Sequence, residues 1–395
     1  SYVITNGFDG INIDFEAIKP ADKDHFTQFM SKVYKAFHKE GLMVTLDVPP
    51  NDESYDYTSL AKYADRVIVM LYDQHYSMST PGPVAQTDWV KDNLDQAEIP
   101  AGKLVAGLGT YGYDWEEGSD KPAADMTFGD IMKLGSEENL TINWSMEAGN
   151  PYLRYKQNGK NHTVWFLDAA TFYNQMNLAI NGGSTGIAIW RLGSEDPSIW
   201  SFVNKPKEII NPSEMLSAFE SPVSALHTGN GEVLKIASQT EKGKRNIEMD
   251  SNGMIKKESY VKYPKPFEVI RHGNSSKKEI VLTFDDGPDP EYTPKILDIL
   301  KSYGIKGTFF IVGENALMHP QLVKRIYNEG HEIGNHTFTH PDTTSITPFR
   351  LRMELNATQR LIQGITGHST TLFRPPYRAD TELGTRNEQL PIMGA

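Results

Sequence analysis

Three short clusters toward the C-terminal end carry residue types that can hydrolyse a polar bond. Thr283-Phe284-Asp285-Asp286-Gly287-Pro288 delivers two adjacent carboxylates after an apolar run, and Gly-Pro then turns the chain away. His336-Thr337-Phe338-Thr339-His340 spaces two imidazoles four apart, which on a helical turn puts both on one face and lets both reach one ion. Arg374-Pro375-Pro376-Tyr377 sets a cation in a rigid turn. Two histidines and one aspartate leave a coordination position open for water, whose pKa a metal lowers. A second carboxylate beside them can take the water's proton. Singly, these clusters read as a turn, a solvated helix face and a loop. Together and in this order they point to metal-assisted hydrolysis.

A fourth cluster lies near the other end, Phe8-Asp9-Gly10-Ile11-Asn12-Ile13-Asp14-Phe15-Glu16. Alternate residues of a strand share a face, so Asn12, Asp14 and Glu16 line up while Gly10 offsets Asp9. Carboxylates this close raise the proton affinity of at least one of them. A protonated Glu16 beside an ionised Asp14 is the pairing a glycosidase acid needs. The alternative is an exposed strand with a polar face.

The elements that must position these groups alternate strand and helix. Val3–Ile4 and Ile11–Phe15 read as extended. Phe26, Phe29, Met30, Val33 and Phe37 follow at helical spacing, closed by Gly41. Leu42–Val48, Val67–Tyr72, Leu104–Leu108 and Gly186–Trp190 read as strands. This alternation predicts an α/β fold with parallel strands, a barrel being one form. Residues 206–278 differ. They are polar and Lys-rich, with β-like runs at Glu232–Ile236 and Ser259–Tyr263, and read as a linker with a small, solvated β element. The alternation then resumes with a strand over Glu279–Phe284, a helix over Thr293–Leu300 ended by Gly304, and a strand over Gly307–Val312. A helix over Leu322–Tyr327 ended by Gly330 and a strand from His331 follow.

Composition bounds the rest. A chain of 395 residues suggests about two domains. The 38% hydrophobic and 23% charged content is that of a globular protein. A net charge of −12 argues against nucleic acid as the main partner. With no cysteine, a metal must be held by His, Asp, Glu or backbone. No apolar run reaches the roughly 18 residues of a membrane span. His25, His38, His162, His227, His272, His319 and His368 are expected at the surface, His75 in the cleft or in a structural role, and His331 at a turn or as a capping residue. Trp200 is expected in the core, with Trp115 and Trp165 open between core and sugar platform.

Residues 279–380 resemble the NodB-homology domain of carbohydrate esterase family four, through TFDDGP, GHEIGNHTFTH, RPPY and the Gly307-Thr308-Phe309-Phe310 strand. The resemblance implies Asp285 as general base and Arg374 as the residue orienting it. It implies Asp286, His336 and His340 as ligands of a divalent metal, zinc first, with cobalt, nickel or manganese as alternatives. The backbone N–H near Tyr377 would stabilise the oxyanion. Residues 7–203 resemble glycoside hydrolase family eighteen of the spore-cortex-lytic type, through DGINIDFE, VMLYDQH, PGPVAQTDWV, KLVAGLGTYGYDW and GIAIWRLGSEDPSIW. This implies Glu16 as acid/base, Asp14 as the residue that positions the substrate's acetamido group, and Tyr72 as its hydrogen-bond partner, in a substrate-assisted route. Asp9, Asn12, Met70, Asp73, Trp190 and Tyr377 would contact substrate, Trp190 by stacking.

The implied fold is a partial TIM-type (β/α)8 barrel over residues 1–205, a linker over 206–278 and a partial NodB-type distorted (β/α) barrel over 279–395. The implied partner is an N-acetylated glycan polymer, whether chitin-like, peptidoglycan or exopolysaccharide, met outside the cell or at its surface. The chain is expected to be a piece of a longer one, which could continue into a membrane protein. Three barrel strands would precede it, and two deacetylase motifs that do not occur before Ala395 would follow. A glycan-binding module with one or both centres inactive is the rival reading.

Overall fold

The computed structural model describes residues 2–203, 211–222, 225–229, 233–271 and 280–378. His272 and the terminal stretch 387–395 lie outside them. The chain divides into two compact units. The first comprises residues 1–223 and 241–265, the second residues 224–240 and 266–395. The stretch read as a linker therefore supplies strands to both.

In the first unit, β1 (Gly10–Ile13), β2 (Met43–Val48), β3 (Arg66–Leu71) and β4 (Leu104–Gly109) run parallel. An antiparallel excursion follows, through β5 (Gly112–Glu116), β6 (Ala124–Met126), β7 (Asn143–Ser145), β8 (Asn150–Gln157) and β9 (Lys160–Phe166). The chain returns as β10 (Gly186–Trp190), parallel to β4. The order β1-β2-β3-β4-β10 with intervening helices is a partial TIM-type barrel. The expected amphipathic helix spans Lys23–His38 and buries Phe26 and Met30, which stand four apart on one face. Gly41 closes it at φ 72°. Gly10 is required where it stands, because a Cβ there would collide with the Met43 carbonyl on β2.

Val3 and Ile4 are helical, in a turn over Tyr2–Thr5, and not extended. Ile4 is exposed, so no burial holds the pair in a strand, and Asn6 N–H donates to the Tyr2 carbonyl. Trp200 is 41% exposed, with its indole N–H on Glu195, and so is not core; Trp115 is buried. Trp165 stacks on Tyr152. His162 is largely buried against Asp114 and Tyr155, because its strand lies under the helix Phe128–Glu137.

In the 206–278 stretch, β11 (Ala218–Phe219) pairs with a hairpin of β14 (Gly243–Met249) and β15 (Ile255–Lys262), all in the first unit. In the second unit β12 (Ala225–Thr228), β13 (Val233–Ser238) and β16 (Phe267–Arg271) form a separate sheet. The β14–β15 hairpin is solvated along its lysines, as expected, but its other face is buried. Arg245 is fully buried and donates to Asp196 Oδ2 at 2.6 Å, the Leu216 carbonyl at 2.7 Å and Ser198 Oγ at 3.1 Å. Tyr260 donates to Asp168, which also caps the helix Ala169–Asn181. A buried guanidinium needs such partners, since unpaired it would be costly to desolvate.

The second unit continues with β17 (Thr283–Gly287), β18 (Thr308–Ile311) and β19 (Glu332–Asn335), all parallel. Helices Tyr292–Tyr303, Gly313–Met318, Pro320–Asn328 and Pro348–Thr366 accompany them around a core of Leu297, Phe309, Ile311, Val323, Ile326 and Ile362. The first of these strands starts later than the apolar run predicts. Ile280 and Val281 are exposed, and pairing with β18 begins at Thr283. His331 caps the helix Pro320–Asn328 as expected, its N–H donating to the Ile326 carbonyl. It is buried and accepts from the Gly307 N–H.

Candidate active sites

The first site is built where β17, β18 and β19 end. Asp285 and Asp286 sit at the end of β17, and Asp286 is turned into the left-handed region at φ 67°. Asn315 holds that turn by donating to the Asp286 carbonyl at 2.6 Å. The side chains of Asp286, His336 and His340 converge: Asp286 Oδ1 lies 3.2 Å from His336 Nε2 and 3.0 Å from His340 Nε2. The three ligand atoms lie within 4.8 Å of one another.

The histidines do not meet on a helical turn. The segment after β19 is irregular, with Thr337 at φ 67° and His340 at φ 55°. Glu354, from the helix Pro348–Thr366, shapes that loop. One oxygen accepts from the Phe338 and Thr339 amides at 2.9 and 2.7 Å, the other from the Thr339 hydroxyl and Arg350. Nothing in the sequence around Glu354 marks it, because the two amides it holds are ones any residue supplies.

His336 Nδ1 lies 2.6 Å from the Arg374 carbonyl. A carbonyl can only accept, so the proton is on Nδ1 and Nε2 keeps its lone pair facing Asp286 and His340. Burial lowers the His336 pKa, against that bond and the nearby Asp285, which also keeps the ring a neutral ligand. The Arg374 strand end is itself docked on β19: Asn335 bridges Phe373, and the Arg374 N–H donates to the Asn335 carbonyl. From there Arg374 Nη1 reaches Asp285 Oδ1 at 2.9 Å, Asp285 Oδ2 at 3.2 Å and Thr283 Oγ1 at 2.9 Å. Its guanidinium lies 4.2 Å from the Phe310 ring centre. Tyr377, at φ 60°, sets its exposed ring edge-on to His340. The two carboxylates are thus sorted, Asp286 to the histidines and Asp285 to the arginine.

Burial pushes the Glu354 carboxyl up, but its hydrogen bonds outweigh this and hold it below its ordinary value. A carboxylate whose folded pKa is depressed stabilises the fold above its unfolded pKa, and that contribution fades as pH falls through the folded one. Glu354→Ala leaves the two loop amides without their acceptor, at about 1–3 kcal/mol for each if buried. The expected result is weaker divalent-ion binding by about 10–100-fold, the usual effect of losing a residue that supports metal ligands. Ion titration beside denaturant unfolding checks both.

The second site lies in the first unit, at the strand ends β1, β2, β3 and β10. The strand β1 stops at Ile13, so Asp14 and Glu16 stand just beyond it and are exposed. Tyr72 follows β3, and its ring lies 6.5 Å from Trp190 at an interplanar angle of 14°, with Trp190 half exposed. Burial raises the Tyr72 hydroxyl pKa, and Asp47, Asp14, Asp73 and Glu16 add to it. Tyr72 therefore keeps its proton and can donate it as a hydrogen bond. Tyr111 and Tyr113 both donate to Asp73 Oδ1. Met70 is half-buried on β3 and Asp9 is exposed before β1. Asn12 donates to Asp47 Oδ2 at 2.8 Å. Asp47 was not singled out by the sequence. Burial pushes its carboxyl up, helped by Asp14 and Glu16 against the Asn12 bond, and burial raises Asp73 as well, against its two tyrosine bonds.

Both regions of the chain match known proteins. The sequence model described as "Polysaccharide deacetylase" matches residues 272–389, and the one described as "Glycosyl hydrolases family 18" matches residues 1–196. Residues 1–196 are thus similar to family 18 glycosyl hydrolases, and residues 272–389 to polysaccharide deacetylases. It is 31% identical over 208 residues to "Uncharacterized glycosylase YvbX" of Bacillus subtilis (strain 168), covering 50% of this chain and 60% of that protein. It is 49% identical over 105 residues to "Peptidoglycan-N-acetylglucosamine deacetylase" of Bacillus cereus, covering 27% of this chain and 38% of that one. The "Cortical fragment-lytic enzyme" of Bacillus subtilis (strain 168) is 29% identical over 219 residues, covering 52% and 51% respectively. The chain thus spans about 60% or less of the length of these relatives. The four strand-end clusters fall within the two matched regions.

Proposed function

We propose that the deacetylase segment removes N-acetyl groups from an N-acetylglucosamine-containing polysaccharide with a divalent ion held by Asp286, His336 and His340. The observation that supports this best is the convergence of one carboxylate and two imidazoles beside an Arg374–Asp285 pair. The donor set of two nitrogens and one oxygen suits zinc and leaves positions open. Such an ion supplies Lewis acidity, acidifying water and polarising the amide carbonyl. Asp285, fixed by Arg374, accepts the proton of the attacking water. The water oxygen adds to the acetyl carbon, and a backbone N–H at the Tyr377 turn offers a donor to the oxyanion. The C–N bond then breaks, the amine takes up a proton, and acetate leaves. Acetate release from N-acetylated peptidoglycan strands tests the reading. Loss on chelation and recovery with zinc are expected, and release insensitive to chelation contradicts it.

A second activity in the same protein is favoured by the Asp14–Glu16 strand end facing Tyr72 and Trp190. There Glu16 protonates the glycosidic oxygen, Asp14 and Tyr72 hold the substrate's acetamido group, and its oxygen attacks the anomeric carbon. Trp190 offers a sugar face an apolar floor. Both readings meet on one polymer class, because each uses an N-acetyl group. The peptidoglycan named for the Bacillus cereus deacetylase, and the cortex named for the lytic enzyme, favour a bacterial wall glycan met outside the cell. Among the described residues, no helix is long and apolar enough to cross a membrane.

A further inference from the structure

Asp47 stands near the end of β2, beside the acidic end of β1. The parallel register pairs Asn12 with Thr45 and Ile13 with Leu46, so the next positions, Asp14 and Asp47, come level where the strands end. The two Asp47 oxygens have different surroundings. Oδ2 accepts from Asn12 Nδ2 at 2.8 Å, and Asn12 is itself pinned by the Thr45 hydroxyl, which donates to its Oδ1 at 2.6 Å. Oδ1 is shut off from solvent and has no hydrogen-bond partner. A buried, unpartnered carboxylate oxygen is costly, whereas a carboxylic acid can turn an O–H toward an acceptor. The groups that act on the Asp47 carboxyl are Asn12, through Oδ2, and the charges of Asp14 and Glu16 from the β1 end, with Tyr72 nearby from the β3 end, and the two charged ones are both acidic. Asn12 has no titratable proton, whereas the carboxyl of Asp47 can carry one.

We propose that Asp47 is a positioning residue of the glycosidase centre, a neutral carboxylic acid whose Oδ1–H donates to the Asp14 carboxylate and holds it toward the sugar's acetamido group. The proposal rests on the family 18 reading of Asp14 and Glu16. It makes Asp47 act through Asp14 and not on the substrate. A protonated aspartate kept neutral in order to donate is a known device of enzyme sites. Asparagine at position 47 can imitate it in shape, with its carbonyl toward Asn12 and its N–H toward Asp14, but it cannot ionise.

The test uses the full-length protein with Asp47→Asn and Asp47→Ala, and an N-acetylchitooligosaccharide as probe. Infrared difference spectra between wild type and Asp47→Asn at neutral pH read the proton directly. A carboxylic-acid carbonyl band present in wild type and missing in the variant is expected, and its absence overturns the proposal. In turnover, Asp47→Ala is expected to lower kcat by about 10²-fold, the scale of a misplaced catalytic group, with KM nearly unchanged. Asp47→Asn is expected to restore most of that loss. As pH rises, wild type loses the neutral acid while Asp47→Asn keeps its donor, so the variant's alkaline limb lies higher. Equal losses in both variants with unchanged pH profiles, or no loss in either, overturn the proposal. Should wild type fail to cleave the probe, the glycosidase reading falls, while the infrared band still decides whether Asp47 holds the proton.

Discussion

Asp285→Asn is expected to slow acetate release by about 10²–10⁴-fold, the range of a lost general base, and to leave divalent-ion binding intact. The two outcomes separate because the structure separates the two carboxylates. Asp286 faces His336 and His340, while Asp285 faces Arg374 and Thr283. Asparagine keeps the shape and can still meet the guanidinium through its carbonyl, but it has no lone-pair charge with which to take a proton from water. Acetate release and ion content measured on one preparation decide it. Loss of the ion together with the activity would mean that Asp285 is a ligand and that the sorting of the pair is wrong.

The second large effect is Glu16→Gln. A glutamine cannot protonate a leaving glycosidic oxygen, so cleavage of an N-acetylchitooligosaccharide is expected to fall by about 10²–10⁴-fold. Binding should persist, because Trp190 and Tyr72 are untouched, and acetate release should be unaffected. The change is isosteric at an exposed strand end, so the fold should not respond. Reducing-end release measured beside oligosaccharide affinity checks this. Turnover equal to wild type would remove Glu16 from the chemistry and favour a binding role for the cleft.

What the sequence shows of these sites depends on how local each interaction is. Asp285, Asp286, His336, His340 and Arg374 lie in short motifs at predicted strand ends, and the parallel alternation of strands and helices was readable from apolar periodicity. The local geometry of His336–His340 was not. Spacing of four suggests a helix, yet β19 runs straight into the segment, and Glu354 holds the Phe338 and Thr339 amides in a loop. Glu354 and Asp47 have no motif of their own. Each becomes meaningful only when a helix or a neighbouring strand brings it to a loop or to another carboxyl, a long-range event. The same holds for Arg245, whose lysine-rich neighbourhood suggests solvent but whose partners Asp196 and Ser198 lie almost fifty residues earlier. A strand or helix is encoded by a few neighbours, whereas the burial of one charge is set by the whole fold.

Everything proposed for the deacetylase segment depends on a divalent ion held by Asp286, His336 and His340. Metal analysis of purified, folded protein after exposure to zinc, beside His336→Ala and His340→Ala, tests it most directly. About one ion per wild-type chain and almost none in either variant is expected, since two protein ligands hold an ion poorly. A folded wild type without an ion, or variants that keep the wild-type content, would contradict it.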